Sequence, residues 1–505
     1  MKKYARITSF IILLSMLLSS MISCSGENAA FEKMNDREKA AYVLEKTDKF
    51  YEKNVEQLSE MSCEIEGEVN GVAIKMEING TSTRTVTNSD TDKMRFVSVS
   101  EVKSVTHTGT EKETENYTET TAFIDGYMYM GYDTDKNNGT DVYLKSALTA
   151  DDFSDFLKKS GLVSDEPEYS QICDKVTVTP SADGKTYTVK ITHGAENVKE
   201  ELTKVTNELT SSFGIKFDLV SFELEYMVDA KKLIITEVKH KFVTQTPKFG
   251  NDQLRFTYES VINTSAPQSS EPTIENAGNY VETGDLRYTH FLSNKLNGLI
   301  SADSVGYTLT SKSEMSGNGI VLSTSEETDL INCGYKDSIY VYSIDAKANF
   351  EGQKIDMSII YNGAQQKIAI SGSTSQSTDT NEIVARMYII NILNLVLISP
   401  NDVTNVAVKD TVDDVTTVEF ELAFGEKYIN RMKAAVPSDK ISNTSAKITA
   451  EFNKDMDVIS VSFKMSADSA YAGYTYTING DTIIKDFADG DVSGITTVKP
   501  GSSDL

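Results

Sequence analysis

The stretch KTYTVKITHGAENV at residues 185–198 lies over TTVEFELAFGEKYI at residues 416–429 without a gap, a constant shift (416 − 185 = 231) that places Gly194 on Gly425. In both, an alternating strand ends at the glycine and a helix is expected to begin. Val198, Leu202, Val205 and Leu209 recur at helical spacing in the first, and Ile429, Met432 and Val436 in the second. LEYMVDAKKLIITEV (224–238) then matches TAEFNKDMDVISVSF (449–463), a hairpin around a charged turn, and LRFTYESVI and YAGYTYTIN supply a closing strand to each block. Earlier in the chain, FIDGYMYMGY (123–132) pairs with YKDSIYVYSI (335–344), each a turn at Asp-Gly or Asp-Ser followed by an alternating aromatic strand. Matches in one order indicate duplication, so one block's architecture constrains the other's.

Each block opens with an amphipathic helix. Asn35 and Glu38 can form a capping pair before Ala40, Leu44, Thr47, Tyr51, Val55 and Leu58, and Leu286, Phe291, Leu292, Leu296, Leu299 and Ile300 repeat the spacing later. CEIEGEVNGVAIKMEI (63–78) alternates on both sides of an Asn70-Gly71 turn, a strong hairpin signal. The expected order is a helix, a meander of about five strands, a helix (151–159; 382–398), two strands, a helix and three strands. Such strands make antiparallel sheets with one apolar face, and the helices are the candidates to cover it. The expected fold class is therefore α+β: two tandem copies of a curved antiparallel β-sheet covered by helices.

NTSAPQSSEPTIENAG (263–278) has linker composition, and each flanking block exceeds 200 residues, enough for its own core. The expected organisation is a signal peptide (1–23), a tether (24–34), a first repeat (35–263), a linker (264–282), a second repeat (283–487) and a disordered tail (488–505).

This layout resembles the LolA/LppX-like lipoproteins, in which an incomplete antiparallel barrel, a half-barrel, wraps helices around an apolar cavity. The likeness rests on element order and on the IDGYMYM type of hairpin. It implies a role in carrying or sensing hydrophobic, lipid-like ligands. Candidate cavity residues are Tyr127 and Tyr129 on one strand face, Met128 and Met130 on the other, and Ile383, Met387 and Ile390 on a helix apolar nearly all round. For any one of these residues ordinary core packing is the better explanation, and the cavity is an expectation about the whole block.

The N-terminus carries a basic start (Lys2, Lys3, Arg6), an apolar core from Ile7 to Leu18, and then Met21-Ile22-Ser23-Cys24. The core is too short to span a bilayer, which takes roughly 20 apolar residues. MISC resembles the bacterial lipobox. The resemblance implies that the Cys24 thiol is lipidated, that Cys24 becomes the mature N-terminus, and that the protein is anchored at the extracytoplasmic face of the cell membrane. The tether to the first expected helix is about ten residues, at most roughly 3.5 Å each.

Cleavage before Cys24 leaves 505 − 23 = 482 residues with a formal charge of 46 − 75 = −29. That balance argues against nucleic acid as a partner, because phosphate binding needs clustered Lys and Arg. Ile383–Ile398 is 16 residues long and interrupted by Arg386, Asn391 and Asn394, so it reads as a buried core helix. Besides Cys24 only Cys63, Cys173 and Cys333 remain, which permits one disulfide, with Cys63 and Cys173 the better pair.

Catalytic patterns are weak. His107, His193, His240 and His290 have no i+4 partner. Ser100 and Lys103 match a Ser-x-x-Lys motif, but on a strand they point to opposite faces. In DTDKNNGTD (133–141) the glycine and the bidentate Glu of a calcium loop are out of place. No cofactor or metal is expected. The reading is a non-enzymatic, lipid-anchored envelope protein that binds a lipid-like ligand. The alternative is a lipid-anchored interaction module with filled cores, and an enzyme is the third class.

Overall fold

The Asn35–Glu38 pair closes a full capping box, the Glu38 amide donating to Asn35 Oδ1 at 3.0 Å and the Asn35 amide to Glu38 Oε2 at 2.9 Å. It starts α2 (Asp36–Tyr51), which a short α1 (Glu27–Glu32) precedes. The structure is a computed structural model. It describes residues 27–498 except 135–140, 160–168, 170–172, 195–216, 249–251, 268–270, 372–375, 424–428, 430–439 and positions 70, 90, 247, 302, 303, 338, 381, 394, 395, 472 and 473. The signal segment, Cys24, Asn70, Gly425, most of the loop at 133–141 and the helices expected around Leu202 and Met432 lie outside the described residues.

The first unit continues with β1 (Val55–Val69), β2 (Val72–Thr87), β3 (Arg95–Thr108), β4 (Glu111–Ile124), β5 (Tyr127–Thr134) and β6 (Val142–Ala147). Then come α3 (Ala150–Lys159), β7 (Lys175–Pro180), β8 (Thr186–Gly194), β9 (Asp218–Asp229), β10 (Ile234–Gln245) and β11 (Gln253–Ser265). A two-residue β12 (Val281–Glu282) leads to α4 (Arg287–Ser301). The second unit follows with β13 (Ser304–Gly317), β14 (Ile320–Lys336), β15 (Ile339–Phe350), β16 (Gln353–Tyr361), β17 (Gln365–Ile370) and β18 (Gln376–Asp379). It ends with α5 (Glu382–Leu393), β19 (Val403–Val412), β20 (Val415–Leu422), β21 (Lys440–Phe452), β22 (Val458–Tyr471) and β23 (Tyr474–Ala488).

The first sheet has 12 strands in the order β12-β6-β5-β4-β3-β2-β1-β11-β10-β9-β8-β7, and the second has 11 in the order β18-β17-β16-β15-β14-β13-β23-β22-β21-β20-β19. With β12 set aside, the second order repeats the first strand for strand. That order places β8 on β20, the β9–β10 hairpin on β21–β22, and β11 on β23. It does not place FIDGYMYM on YKDSIYVY: the β4–β5 hairpin corresponds to β16–β17, whereas Asp337 lies in the turn between β14 and β15.

The expected α+β class, a half-barrel covered by helices, is overturned. The chain is mostly β, in two large sheets that are antiparallel except where the two-residue β12 runs parallel to β6, and the helices cover only parts of them. Dimensions give the reason. A dozen strands at about 4.8 Å spacing make a sheet over 50 Å wide, whereas the 16 residues of α2 at about 1.5 Å each reach about 24 Å.

Two apolar cores share the covering instead. One lies beneath α1 and α2, where Phe31, Val43, Val189, Val228 and Phe256 pack together. Residues expected as a tether thus enter the fold, with fully buried Phe31 edge-on to Tyr187 at 5.2 Å. The other core is common to both units: Phe96, Phe123, Phe153 and Phe156 of the first join Leu286, Leu292, Leu296, Ile344 and Phe420 of the second. Phe153 stacks on Phe123 at 4.8 Å, and Phe156 meets His290 edge-on at 5.0 Å.

The end of the linker stitches the two sheet edges together. Val281 pairs with Leu144 of β6, the Thr283 amide donates to the Lys145 carbonyl at 2.9 Å, and the Gly284 amide donates to the Val406 carbonyl of β19 at 2.8 Å. The Tyr280 ring sits edge-on to Tyr129 and Tyr143 at 5.3 and 5.4 Å. Gly131 makes room for it, since a Cβ there would stand 2.5 Å from the Tyr280 hydroxyl.

The expected loose tail is held as far as it is described. The Gly490 amide donates to Ser304 Oγ at 2.9 Å, Lys336 Nζ donates to the Ser493 carbonyl at 2.6 Å, and the Val498 amide donates to the Asn362 carbonyl at 2.8 Å. Cys63, Cys173 and Cys333 form no disulfide with one another.

Candidate functional site

Alternation along β14 puts Ser325, Glu327, Asp329, Ile331 and Cys333 on one face, the face that carries the second unit's core. Asp329 stands opposite Leu309 of β13 and Ala346 of β15. Above this face α5 lies near α4, and between helix and sheet is a partly enclosed cavity of about 310 Å³. Its walls are Leu309, Ile344, Ala346, Met357 and Ile359 from the sheet with the hydroxyls of Ser311 and Thr482, Tyr388 and Ile392 from α5, Val396 beyond it, and the two carboxylates Glu327 and Asp329.

Arg386 fixes the helix over the cavity. Its side chain is 1% exposed, its Nε donates to Glu382 Oε1 at 3.0 Å, and its Nη2 donates to the Tyr335 hydroxyl at 2.7 Å. The guanidinium lies 3.8 Å from the centre of the Tyr340 ring, a stacked cation–π contact. Arg386 points the other way from the cavity, so Tyr388 and Ile392, one turn apart, present their sides to it.

Asp329 is 6% exposed, and its Oδ1 has no hydrogen-bond partner among the described residues. Burial, reinforced by the neighbouring Glu327 carboxylate, pushes its pKa up from 3.8 to about 7. Tyr388 and Tyr307, which face it from α5 and β13, are themselves raised, first by burial and then in part by its charge.

The sign for stability follows. Below pH 3.8 the Asp329 carboxyl is protonated folded or unfolded and has no effect. Between that value and about 7 the unfolded chain ionises it freely while the fold holds the proton, so stability falls as pH rises. Asp329→Asn is therefore expected to leave thermal stability at pH 4 nearly unchanged and to raise it at pH 8. The gain should be about 2 kcal/mol, discounted for the solvent that reaches the cavity mouth. Calorimetric melting at the two pH values checks this.

The residues named from the sequence fall in several places. Met128 and Met130 are buried in the shared core, and Tyr127 and Tyr129 are on the opposite face, with Lys145 Nζ 5.3 Å from the Tyr127 ring centre. None of the four lines the cavity. On α5, Met387 is 45% exposed, Ile390 is half-buried against the core, and the side chain of Ile383 lies outside the described residues. Glu327, Asp329, Tyr388 and Ile392 were missed. The available signal was an acidic residue two positions before Ile331, on the same strand face.

Wider, shallower concavities also occur. One of about 800 Å³ spans β11, β1, β2, β3 and β4 around Met61, Gly80 and Tyr117, with Glu60, Glu101, Lys103 and Glu259 on its walls. Among the described residues no three His, Cys, Asp or Glu side chains are grouped to hold a metal ion, and no helix is long and apolar enough to cross a membrane.

No family model and no curated protein matches the chain. Among solved structures it is similar to the translocator domain of the autotransporter NalP from Neisseria meningitidis, at 6% identity and a TM-score of 0.12 over 89% of this chain and 93% of that one. It is also similar to a DUF1329 family protein from Desulfovibrio piger, at 10% identity and a TM-score of 0.16 over 41% and 93%. A third is Pseudomonas aeruginosa OprD, at 6% identity and a TM-score of 0.14 over 87% and 96%. Likenesses at this level carry no argument about fold or function, so the functional reading rests on the chain's own residues.

Proposed function

We propose that this chain is a non-enzymatic, lipid-anchored protein of the cell envelope that holds a small lipid-like ligand beneath α5. The observation that carries the reading is the cavity between α5 and the second sheet: about 310 Å³, walled chiefly by aliphatic side chains, at the lower end of the roughly 300–1,000 Å³ of ligand sites. The anchor rests on the signal-like segment and Cys24. Two residues separate Cys24 from α1, so lipidation would hold the first unit within about 10 Å of the bilayer surface.

A second reading, an anchored interaction module, draws on the tip of the β13–β14 hairpin, where Ile320, Val321 and Leu322 are exposed. One comparison separates the two. Protein purified in mild detergent from its own envelope is extracted with solvent and the extract analysed by mass spectrometry. The wild type is expected to yield a low-mass amphiphile that Ala346→Phe, which fills the cavity, lacks. Equal extracts from both proteins would leave only the interaction module. In the same preparation Cys24→Ala is expected to move the protein from the membrane to the soluble fraction.

A further inference from the structure

We infer that the cavity takes a single-chain amphiphile with a cationic amine head, its ammonium seated at Asp329 and Glu327 and its alkyl chain laid along Ile344, Met357, Ile359 and Ile392. This rests on the ligand-holding reading above and names the ligand's chemical class.

Three observations carry it. Asp329 is buried and lines the cavity, and its Oδ1 has no hydrogen-bond partner among the described residues. The carboxyl shares a side-chain hydrogen bond with Glu327, a group of like charge; two acids held together in a buried wall are costly to ionise, and a cation is the partner that offsets the cost most fully. Glu327 lines the same wall from the same strand face, close enough to share a hydrogen bond with the Asp329 carboxyl, so one ammonium can face both groups. Among the described residues no lysine or arginine lines the cavity to neutralise them or to receive an anionic head.

The formal charge of −26 opposes an anionic ligand further. Size sets the chain. At about 30 Å³ for each non-hydrogen atom, taken from water's share of liquid volume, 310 Å³ admits about ten atoms, an amine with roughly eight carbons. The raised Asp329 pKa is what an acid awaiting a cation shows, since the partner would draw its ionisation back down.

The test is calorimetric titration at pH 8 of the chain beginning at residue 25 with octylamine, octan-1-ol and octanoate. The variants Asp329→Asn, Glu327→Gln and Ala346→Phe are titrated beside it. Octylamine is expected to bind at one site at least tenfold more tightly than either of the others. Asp329→Asn should bring it to the level of the alcohol, Glu327→Gln should weaken it less, and Ala346→Phe should abolish binding of both. Alcohol or octanoate binding as tightly as the amine, or amine binding that survives Asp329→Asn, would overturn the cationic head and leave the apolar cavity standing. Binding of none of the three would overturn the ligand-holding reading as well. Amine uptake that Ala346→Phe does not reduce would show attraction to the acidic surface only, and that too overturns the proposal.

Discussion

Replacing Arg386 by alanine is expected to destabilise the protein by about 3–5 kcal/mol, the usual consequence of removing one partner of a buried charge network. The guanidinium satisfies Glu382 and Tyr335 at once and stacks on Tyr340. Without it, Glu382 at the start of α5 and the Tyr335 hydroxyl on β14 keep the hydrogen bond between themselves at 3.0 Å but lose the cation they share, and the helix loses much of its hold on the sheet. Arg386→Lys keeps the charge but neither the planar fork nor the stack, so it should recover less than half of the loss. Urea denaturation followed by circular dichroism measures both. A loss under 1 kcal/mol for Arg386→Ala would mean that α5 is held by its apolar contacts alone. Because the helix roofs the cavity, the variant should also bind octylamine more weakly.

The second large effect concerns the seam between the units. Phe156 is 1% exposed and lies on α3 of the first unit, yet its ring neighbours include His290 and Phe291 of the second. Phe156→Ala should cost about 3–5 kcal/mol, the range for emptying a buried phenylalanine site. Part of that loss belongs to the association of the units and not to either alone. After a single protease cut in the Pro/Ser linker near residue 267, wild-type halves are expected to stay together on gel filtration and Phe156→Ala halves to separate at lower urea. His290, buried with its pKa lowered to about 4 by loss of solvent, stays neutral through this range and does not make the seam pH-dependent above about pH 5.

Much of the β architecture was legible because alternation is a local signal. The β9–β10 and β21–β22 hairpins, the strands ending at Gly194 and near residue 422, and the closing strands all lie where period-two patterning put them. The capping box at Asn35 was legible for the same reason. The misplacement of FIDGYMYM shows the limit. Asp125 and Asp337 both sit at positive φ (51° and 53°) ahead of aromatic strands. Turn chemistry of this kind recurs at any hairpin and does not count strands.

The covering of the sheets was not legible, since it depends on long-range dimensions and on Phe156 and Leu286 meeting across a core that no local pattern encodes. The cavity failed for two reasons. An α5 apolar nearly all round gives no indication that Tyr388 and Ile392 face inward while Met387 faces out. And Asp329, in the run SEETDLIN, looks like part of a solvated acidic face until the alternation with Ile331 and Cys333 is followed to the core.

The central claim, that the space beneath α5 admits an alkyl chain, can be tested with a single fluorophore, because the chain has no tryptophan. Tyr388→Trp places one at the cavity wall, and Tyr127→Trp places one on the outer face of the first sheet. Titration with 8-bromooctan-1-ol and 8-bromooctan-1-amine brings a bromine quencher on a chain of the fitting length. The account predicts saturable quenching at position 388 and only weak, linear quenching at position 127. Linear quenching of equal slope at both positions, with both compounds, would contradict it.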